Sequence, residues 1–553
     1  MPMLDEDAYR YAIRNAHAHS GKAEVGALIG KLKALHPQTD VKQLVPIAQE
    51  AVARVNSMDS SAISGEYTRF ESEGFELHIP EKKGGLEDLA WADHEPVNTR
   101  YAPNPSAPGH LGHLRPALLS HRYASKYGGT FLLRFDDTDP KLKKPIAGGE
   151  QMYLEDLAWF GIAPDQVVRA SDRLGLYHDY MRQLVGMGHA YVCTCAIEGW
   201  RKLTLAKKAC PCREEEAGIQ SQKLEQMLTH SFKQGEAVLR IKTDLTLDDP
   251  SQRDWWAARI VDNPHHYRVK DQYLWPSYNF ASAIDDHVLN ITLIIRGQEH
   301  YQNMLKQKWV YTHFGWAYPH SFHHGRLLMT GTDLSKSKML EGILNGKYTG
   351  WDDPRLFTIR ALHRKGFHPK GIEDLILDLG VKPSDTHLDL QLLATFNKPY
   401  VENSPSIPFI QDPIQLNVDF VPQMEVEVDQ QTYTLKEGTQ SFLVPKSDLA
   451  NVKMDATLRL RGAYIVKINQ MDDYKWNAAF VSTAKIAHTH QVPWLIEGVD
   501  VEITMPDATI QYGVAGPPIL NLQVDDTVYF PHRGYGRIDS KADGKIGLWF
   551  THP

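Results

Sequence analysis

Apolar residues recur at helical spacing through Val25, Leu28, Ile29, Leu32 and Leu35, and the same texture over residues 1–90 predicts an N-terminal helical appendage. The Ser-rich stretch Ser57–Gly65 and the run Lys82-Lys83-Gly84-Gly85 punctuate its end. From residue 91 short apolar runs alternate with helical stretches, the pattern of an α/β fold with a parallel sheet covered by helices. In one such stretch Ser171 is placed to cap a helix whose apolar face uses Tyr177, Tyr180, Met181, Leu184 and Val185 and which ends near Gly186 and Gly188. Helical spacing returns over 351–403. Beyond Ser404, short alternating segments such as Ala456–Arg461 and Val528–Phe530, separated by Gly, Pro and Asp, predict a β-barrel region.

The 553 residues suffice, at about 150 per domain, for roughly three or four domains with real cores. A hydrophobic fraction of 42% and a mean hydropathy of −0.40 are those of a globular chain and exclude disorder as its main state. No uncharged apolar run is long enough to span a bilayer, and the N-terminus MPMLDEDAYR is acidic where a secretory signal would be basic and then apolar. The expectation is a cytoplasmic protein with no membrane partner. Lys and Arg number 60 against 68 Asp and Glu, a net charge of −8 that excludes a basic coating protein. It does not exclude a local nucleic-acid-binding face, because salt screens charges beyond about 10 Å at 0.1 M.

Cys193, Cys195, Cys210 and Cys212 are the only cysteines, two C-x-C pairs in one short segment. A disulfide framework would be scattered along a small secreted chain, whereas two close pairs in a reduced compartment suit tetrahedral zinc of the structural kind. Two independent pairs of inert or redox-active thiols are the alternative. Trp200, Arg201, Lys202, Lys207 and Lys208 lie between the pairs, a basic knuckle suited to a nucleic-acid backbone or simply a solvated loop.

In RYAPNPSAPGHLGHLRPALL an extended, proline-rich segment leads through Gly109, His110, Gly112 and His113 into a helix. Free amides and the positive end of the helix dipole draw phosphate there, glycines permit close approach, and imidazoles can donate to a polyphosphate. Pro116 is placed in the first turn, where its missing amide costs little. Further on, HGRLLMTGTDLSKSK sets Lys336 between Ser335 and Ser337 in a Gly-containing loop, the composition of a mobile cationic clamp on a phosphoryl transition state. Alone, the first reads equally well as a helix cap with two surface histidines and the second as a solvated loop.

Together they resemble the two signatures of the class I aminoacyl-tRNA synthetases, which grip ATP from opposite sides. Asp333 stands where the second signature usually begins with lysine, while Lys336 keeps the principal basic position. The runs RYAPNPSAPGHLGH, RFDDTDP, YNFASAIDDH, IIRGQEH and GWDDPRL, with the four-cysteine pattern, resemble more specifically the archaeal type of glutamyl-tRNA synthetase from residue 91 to the end. This resemblance implies a Rossmann-like catalytic domain in two halves, 91–190 and 276–345, interrupted by a zinc-containing acceptor-stem-binding insertion over 191–275. A helical connector over 346–405 and β-barrel anticodon-binding domains over 406–553 would follow. It further implies ATP with Mg2+, Zn2+, L-glutamate and tRNA(Glu) as cofactors and partners of a monomer, and it leaves open whether tRNA(Gln) is also charged.

Carried over residue by residue, the resemblance makes His110, His113 and Lys336 catalytic through positioning and charge stabilisation. Pro103, Gly109, Gly112, Glu299, Leu328, Ser335 and Ser337 would complete the ATP site. The amino acid would fall to Arg100, Ala102, Asn104, Asp136, Tyr278, Ser282 and Arg296, with Asp136 taking the α-ammonium, Arg100 a carboxylate and Arg296 the side chain. Arg459, Arg461, Tyr464 and Arg533 are candidate anticodon contacts, as basic or aromatic positions expected to be exposed. The implied reaction, adenylate formation and then transfer to a tRNA ribose hydroxyl, needs no protein nucleophile. Three alternatives stay open: a glutaminyl-tRNA synthetase, against which Arg296 argues; a glutamyl transferase acting on a tRNA base, which would lack the C-terminal half; and a non-catalytic tRNA-binding derivative.

Overall fold

A computed structural model describes every residue except 1, 19–20, 37–38, 73–85, 142–144, 330–335, 429–430, 473, 485–488 and 543. The chain divides into two compact units, residues 1–83 and 84–553. In the first, helices α1 (Pro2–Ala18), α2 (Val25–Leu35), α3 (Val41–Asn56) and α4 (Ser60–Ser72) close over Ala8, Ala12, Leu28, Leu32, Leu44 and Ala48. The Asp40 carboxylate caps α3 by accepting from the Lys42 amide, and Asn56 clasps both backbone groups of Ala23 at 2.7 and 3.0 Å.

The second unit opens with Leu89 buried in its core and continues through β1 (Thr99–Tyr101), α5 (Leu111–Lys126), β2 (Phe131–Phe135), α6 (Gly149–Trp159), β3 (Gln166–Arg169) and α7 (Leu174–Gly186). Ser171 does not cap α7. A 3-10 turn, Ala170–Arg173, intervenes, and the Ser171 amide and hydroxyl both donate to Asp137, at 2.7 and 2.6 Å. An antiparallel sheet of β4 (Ala190–Cys193), β5 (Val238–Ile241), β6 (Trp256–Ile260) and β7 (Leu274–Pro276) follows, carrying α8 (Ile197–Leu205) and α9 (Ala217–Leu228). The chain then returns through α10 (Tyr278–Val288), β8 (Leu293–Gly297), α11 (Tyr301–Phe314) and β9 (His320–His324).

These returning strands finish a five-stranded parallel sheet of order β3-β2-β1-β8-β9. Runs such as Phe131-Leu132-Leu133 and Leu293-Ile294-Ile295 are apolar without alternation because helices cover both faces. Strand order reverses between β1 and β8, and the crevice outside the carboxyl ends of strands at such a reversal is where α/β sheets take ligands. A short parallel pair, β10 (Leu327–Met329) with β11 (Thr386–Leu388), and the helices α12 (Lys336–Leu344), α13 (Ile359–Arg364), α14 (Pro369–Leu379) and α15 (Leu390–Val401) come next. Within the stretch 351–403 the expected helices begin only at Ile359; residues 351–358 form turns, and β11, which the spacing does not reveal, separates α14 from α15.

Beyond residue 404 the chain forms two six-stranded sheets with separate cores, one around Leu416, Phe442 and Leu458, the other around Val501, Val528 and Leu548, and a two-stranded antiparallel sheet of Met424–Val428 with Gln431–Leu435. Here two expected exposures fail. Arg459 is 6% and Tyr464 0% exposed, because the turn at Arg461–Gly462 tucks both against the first sheet: Arg459 donates to the Ala484 carbonyl at 2.6 Å and the Tyr464 hydroxyl to that of Pro422 at 2.9 Å. Arg461 is half-buried, and Arg533, also half-buried, lies 4.7 Å from the centre of the Phe409 ring. No helix among the described residues is long and apolar enough to cross a membrane.

Candidate active site

The extended segment after β1 is fixed by hydrogen bonds to the end of β2. The Asp136 amide donates to the Pro103 carbonyl at 3.0 Å and the Asn104 side chain to the Asp136 carbonyl at 2.8 Å, with Ala102 half-buried beside them. His110 is the N-cap of α5, its Nδ1 accepting from the Gly112 amide at 3.1 Å. Burial, and then the nearby Lys336 charge, lower its pKa to about 3. The ring is therefore neutral at pH 7, and with Nδ1 accepting, Nε2 bears the proton that can be offered to an anion. The His113 ring lies 3.7 Å away, centre to centre. A side chain at Gly109 would meet Ile359 at 3.0 Å and Asp156 at 3.3 Å, and one at Gly112 would meet the His110 ring at 3.0 Å, so a larger residue at either position would press on the groups around His110. Pro116 sits a turn later than the sequence suggests, because α5 starts at Leu111.

Lys336 begins α12 and donates from Nζ to the Tyr153 hydroxyl at 2.8 Å. Gly109, His110, His113, Tyr153 and Lys336 are thereby brought together, a cationic and hydrogen-bonding clamp at a helix N-terminus. Ser335 lies outside the described residues; Ser337 is exposed in the first turn of α12, Leu328 is half-buried in β10 opposite His387, and Glu299 is exposed in the turn after β8. Arg115, fully buried, donates to the carbonyls of Gly325 at 2.9 Å and Gly380 at 3.0 and 2.8 Å, tying α5 to the base of the β10 segment and to the end of α14.

Beside this clamp lies a buried lattice of charge. Arg134 on β2 donates to Asp136 at 2.8 Å, Asp286 at 2.7 Å and the Ser282 hydroxyl at 2.9 Å, and Arg100 on β1 donates to Asp286 at 3.1 Å. Asp285 is held by Arg173 at 2.7 Å and the Tyr177 hydroxyl at 2.6 Å. Burial pushes the Asp136 carboxyl up to about 6 against the pull of Arg134. Tyr278 opens α10 with its ring centre 5.7 Å from that of His300.

Arg296, on β8 and 5% exposed, has a different environment. Its guanidinium donates to Gln307 Oε1 at 3.0 Å, the Tyr318 hydroxyl at 3.0 Å and His323 Nε2 at 3.3 Å. All three are neutral: burial, and then Arg296 itself, hold His323 down at about 4. Among the described residues no carboxylate forms an ion pair with it. A buried guanidinium so placed carries a charge that an anionic ligand can neutralise. Arg134, Asp285, Asp286, Tyr153, Gln307, Tyr318 and His323 were not singled out by sequence reasoning, although Arg134 and the aspartate pair stand inside the runs RFDDTDP and YNFASAIDDH.

In the antiparallel sheet the four cysteines converge as free thiols, all sulfur atoms within 4.8 Å of one another and the pairs Cys193–Cys210 and Cys195–Cys212 at 3.8 and 3.7 Å. Four sulfurs bound to tetrahedral zinc at about 2.3 Å lie about 3.8 Å apart, so the donor set fits that ion. The hydrogen bond from Cys193 favours the Cys210 thiolate, the ligating form. Arg240 stacks 3.5 Å from the Trp200 ring centre beside the cluster, while Arg201 and Lys202 stay exposed.

A family model for the catalytic domain of class I tRNA synthetases (E and Q) matches residues 96–403. The glutamate–tRNA ligase of Thermococcus onnurineus is 41% identical over 571 residues, covering 99% of this chain and 100% of that one. Those of Pyrococcus abyssi and Methanobrevibacter smithii are 40% and 36% identical, each across 99% of this chain and 100% and 99% of their own. With the parallel sheet, its strand reversal, the glycine-flanked histidines and Lys336 in place, the chain belongs to the class I tRNA synthetases of the E and Q type, among the archaeal glutamate–tRNA ligases.

Proposed function

We propose that this chain attaches L-glutamate to tRNA(Glu) through glutamyl-adenylate, a reading carried by Arg296 and its neutral surroundings. Arg100, Arg134 and Arg173 are matched by Asp136, Asp285 and Asp286, so Arg296 leaves one positive charge in excess. Glutamate, with one ammonium and two carboxylates, supplies the missing negative charge. Glutamine does not.

In this reading Asp136 takes the α-ammonium, Arg100 faces the α-carboxylate, and Ala102, Asn104, Tyr278 and Ser282 shape the pocket. ATP, as its magnesium complex, lays its phosphates on the amides at the start of α5. Gly109 and Gly112 allow the approach, His110 and His113 donate to phosphate oxygens, and Lys336 closes from the other side; Pro103, Glu299, Leu328, Ser335 and Ser337 complete the nucleotide's surroundings. The α-carboxylate attacks the α-phosphorus, pyrophosphate leaves, and a terminal ribose hydroxyl of the tRNA then takes the acyl group as AMP departs. The protein's contribution is orientation and stabilisation of phosphoryl charge. The antiparallel insertion is assigned to the acceptor stem and the two C-terminal sheets to the anticodon.

ATP–pyrophosphate exchange with tRNA present, run with glutamate or glutamine, tests the reading, together with charging of tRNA(Glu) and tRNA(Gln) transcripts. Exchange driven by glutamate is expected. Exchange driven mainly by glutamine would make the chain a glutaminyl enzyme, and none at all would leave a tRNA-binding protein; the tRNA(Gln) arm reports whether the second tRNA is charged too.

We assign zinc to Cys193, Cys195, Cys210 and Cys212, where the ion would cross-link β4 to the turn after α8 and leave no position for substrate. Metal analysis is expected to find about one zinc per chain. Cys193→Ser combined with Cys210→Ser should lower both melting temperature and tRNA charging. Unchanged values of both would refute a structural zinc.

A further inference from the structure

We infer that Gln307 is a specificity-determining positioning residue, a neutral amide that aims the Arg296 guanidinium without cancelling its charge; this rests on Arg296 as the partner of the substrate side chain. Gln307 lies on α11 and is fully buried. Its Oε1 accepts from Arg296 Nη1 at 3.0 Å and from the Tyr318 hydroxyl at 2.9 Å. Both neighbours are donors there, which fixes the amide orientation chemically. Its Nε2 is then turned away from them, buried, and has no acceptor among the described residues.

Pairing of the Arg296 charge would favour glutamate at this position. A carboxylate has nearly the same shape, accepts the same two bonds through one oxygen and completes a buried ion pair with Arg296, while its other oxygen takes the partnerless place of Nε2. The chain carries the amide instead and, among the described residues, bears both an unsatisfied N–H and a guanidinium with no carboxylate partner. Tyr318, His323 and the Tyr278 hydroxyl make up the rest of the neutral shell, and the nearby Asp286 is already engaged by Arg100 and Arg134. The shell holds the guanidinium in place and leaves its charge for a carboxylate that arrives with the substrate.

Gln307→Glu supplies that carboxylate internally. It should lower kcat/KM for glutamate by about 10²–10³-fold, chiefly through KM, and shrink the glutamate-to-glutamine preference by a similar factor. Gln307→Met removes the acceptor and adds no charge; KM should rise about tenfold while the preference stays within about threefold of wild type. His323→Asp brings a carboxylate to the Nε side of Arg296 and should erode the preference as Gln307→Glu does, an independent route should the first variant fold poorly by its melting curve. A Gln307→Glu enzyme that folds and keeps the wild-type preference, or equal losses of preference in the Glu and Met variants, would overturn the inference. If Arg296→Ala also keeps the preference, the underlying reading of Arg296 falls instead.

Discussion

Arg296→Ala is expected to lower kcat/KM for glutamate by roughly 10³–10⁴-fold and to remove most of the preference for glutamate over glutamine. The two substrates have nearly equal size, so shape cannot separate them. Charge can, because leaving a buried guanidinium without its partner costs several kcal/mol, a penalty that falls on the amide and not on the carboxylate. Deleting the guanidinium removes the attraction for one substrate and the penalty for the other, and the ratio collapses from both sides. The variant should not become an efficient glutamine enzyme, since Gln307, Tyr318 and His323 then lose the donor they were arranged around. The measurement is kcat/KM for each amino acid with tRNA present. Wild-type discrimination in the variant would disqualify Arg296 as the side-chain reader.

Lys336→Ala is expected to slow adenylate formation by about 10²–10³-fold, the usual loss when one donor to a developing phosphoryl charge is removed, with little effect on the KM for glutamate. The lysine reaches the phosphate clamp through the Tyr153 hydroxyl, at 2.8 Å, and its field is felt by His110. The charge lattice around Arg134 is a separate set of contacts and should be untouched. Single-turnover exchange separates the two possibilities. A large rise in the KM for glutamate with turnover preserved would place Lys336 in the amino-acid pocket and remove it from the phosphate site.

The sequence discloses most where a motif is local. The C-x-C pairs, the glycine-flanked histidines before α5 and the apolar runs of the parallel strands can each be read within a dozen residues, because spacing and residue type carry the message. It is silent where function depends on residues that meet only in three dimensions. Gln307 sits mid-helix and His323 on the edge strand β9, and neither position announces that both turn toward Arg296. Buried charge misleads in the other direction: Arg459 looks like a surface cation because arginine is seldom buried, yet the Ala484 carbonyl satisfies it inside the sheet. Ser171 looks like a cap because serine often is one, and only the position of Asp137 shows the hydroxyl already taken.

The placement of β1 between β2 and β8 also bears on how this chain is made. Thr99 pairs with Phe131 on one side and with Leu293 on the other. At translation speeds of about 5–20 residues per second, the second partner leaves the ribosome roughly 10–40 s after the first residues of β1. The insertion between them pairs locally, Val192 with Leu239 and Ala258 with Pro276, and can fold during that interval. Until β8 arrives, one edge of the central strand stays bare, a template for pairing with other chains. Newly made molecules are therefore most exposed to aggregation just before residue 297 emerges, and a ribosome stalled inside α10 holds the chain in that state.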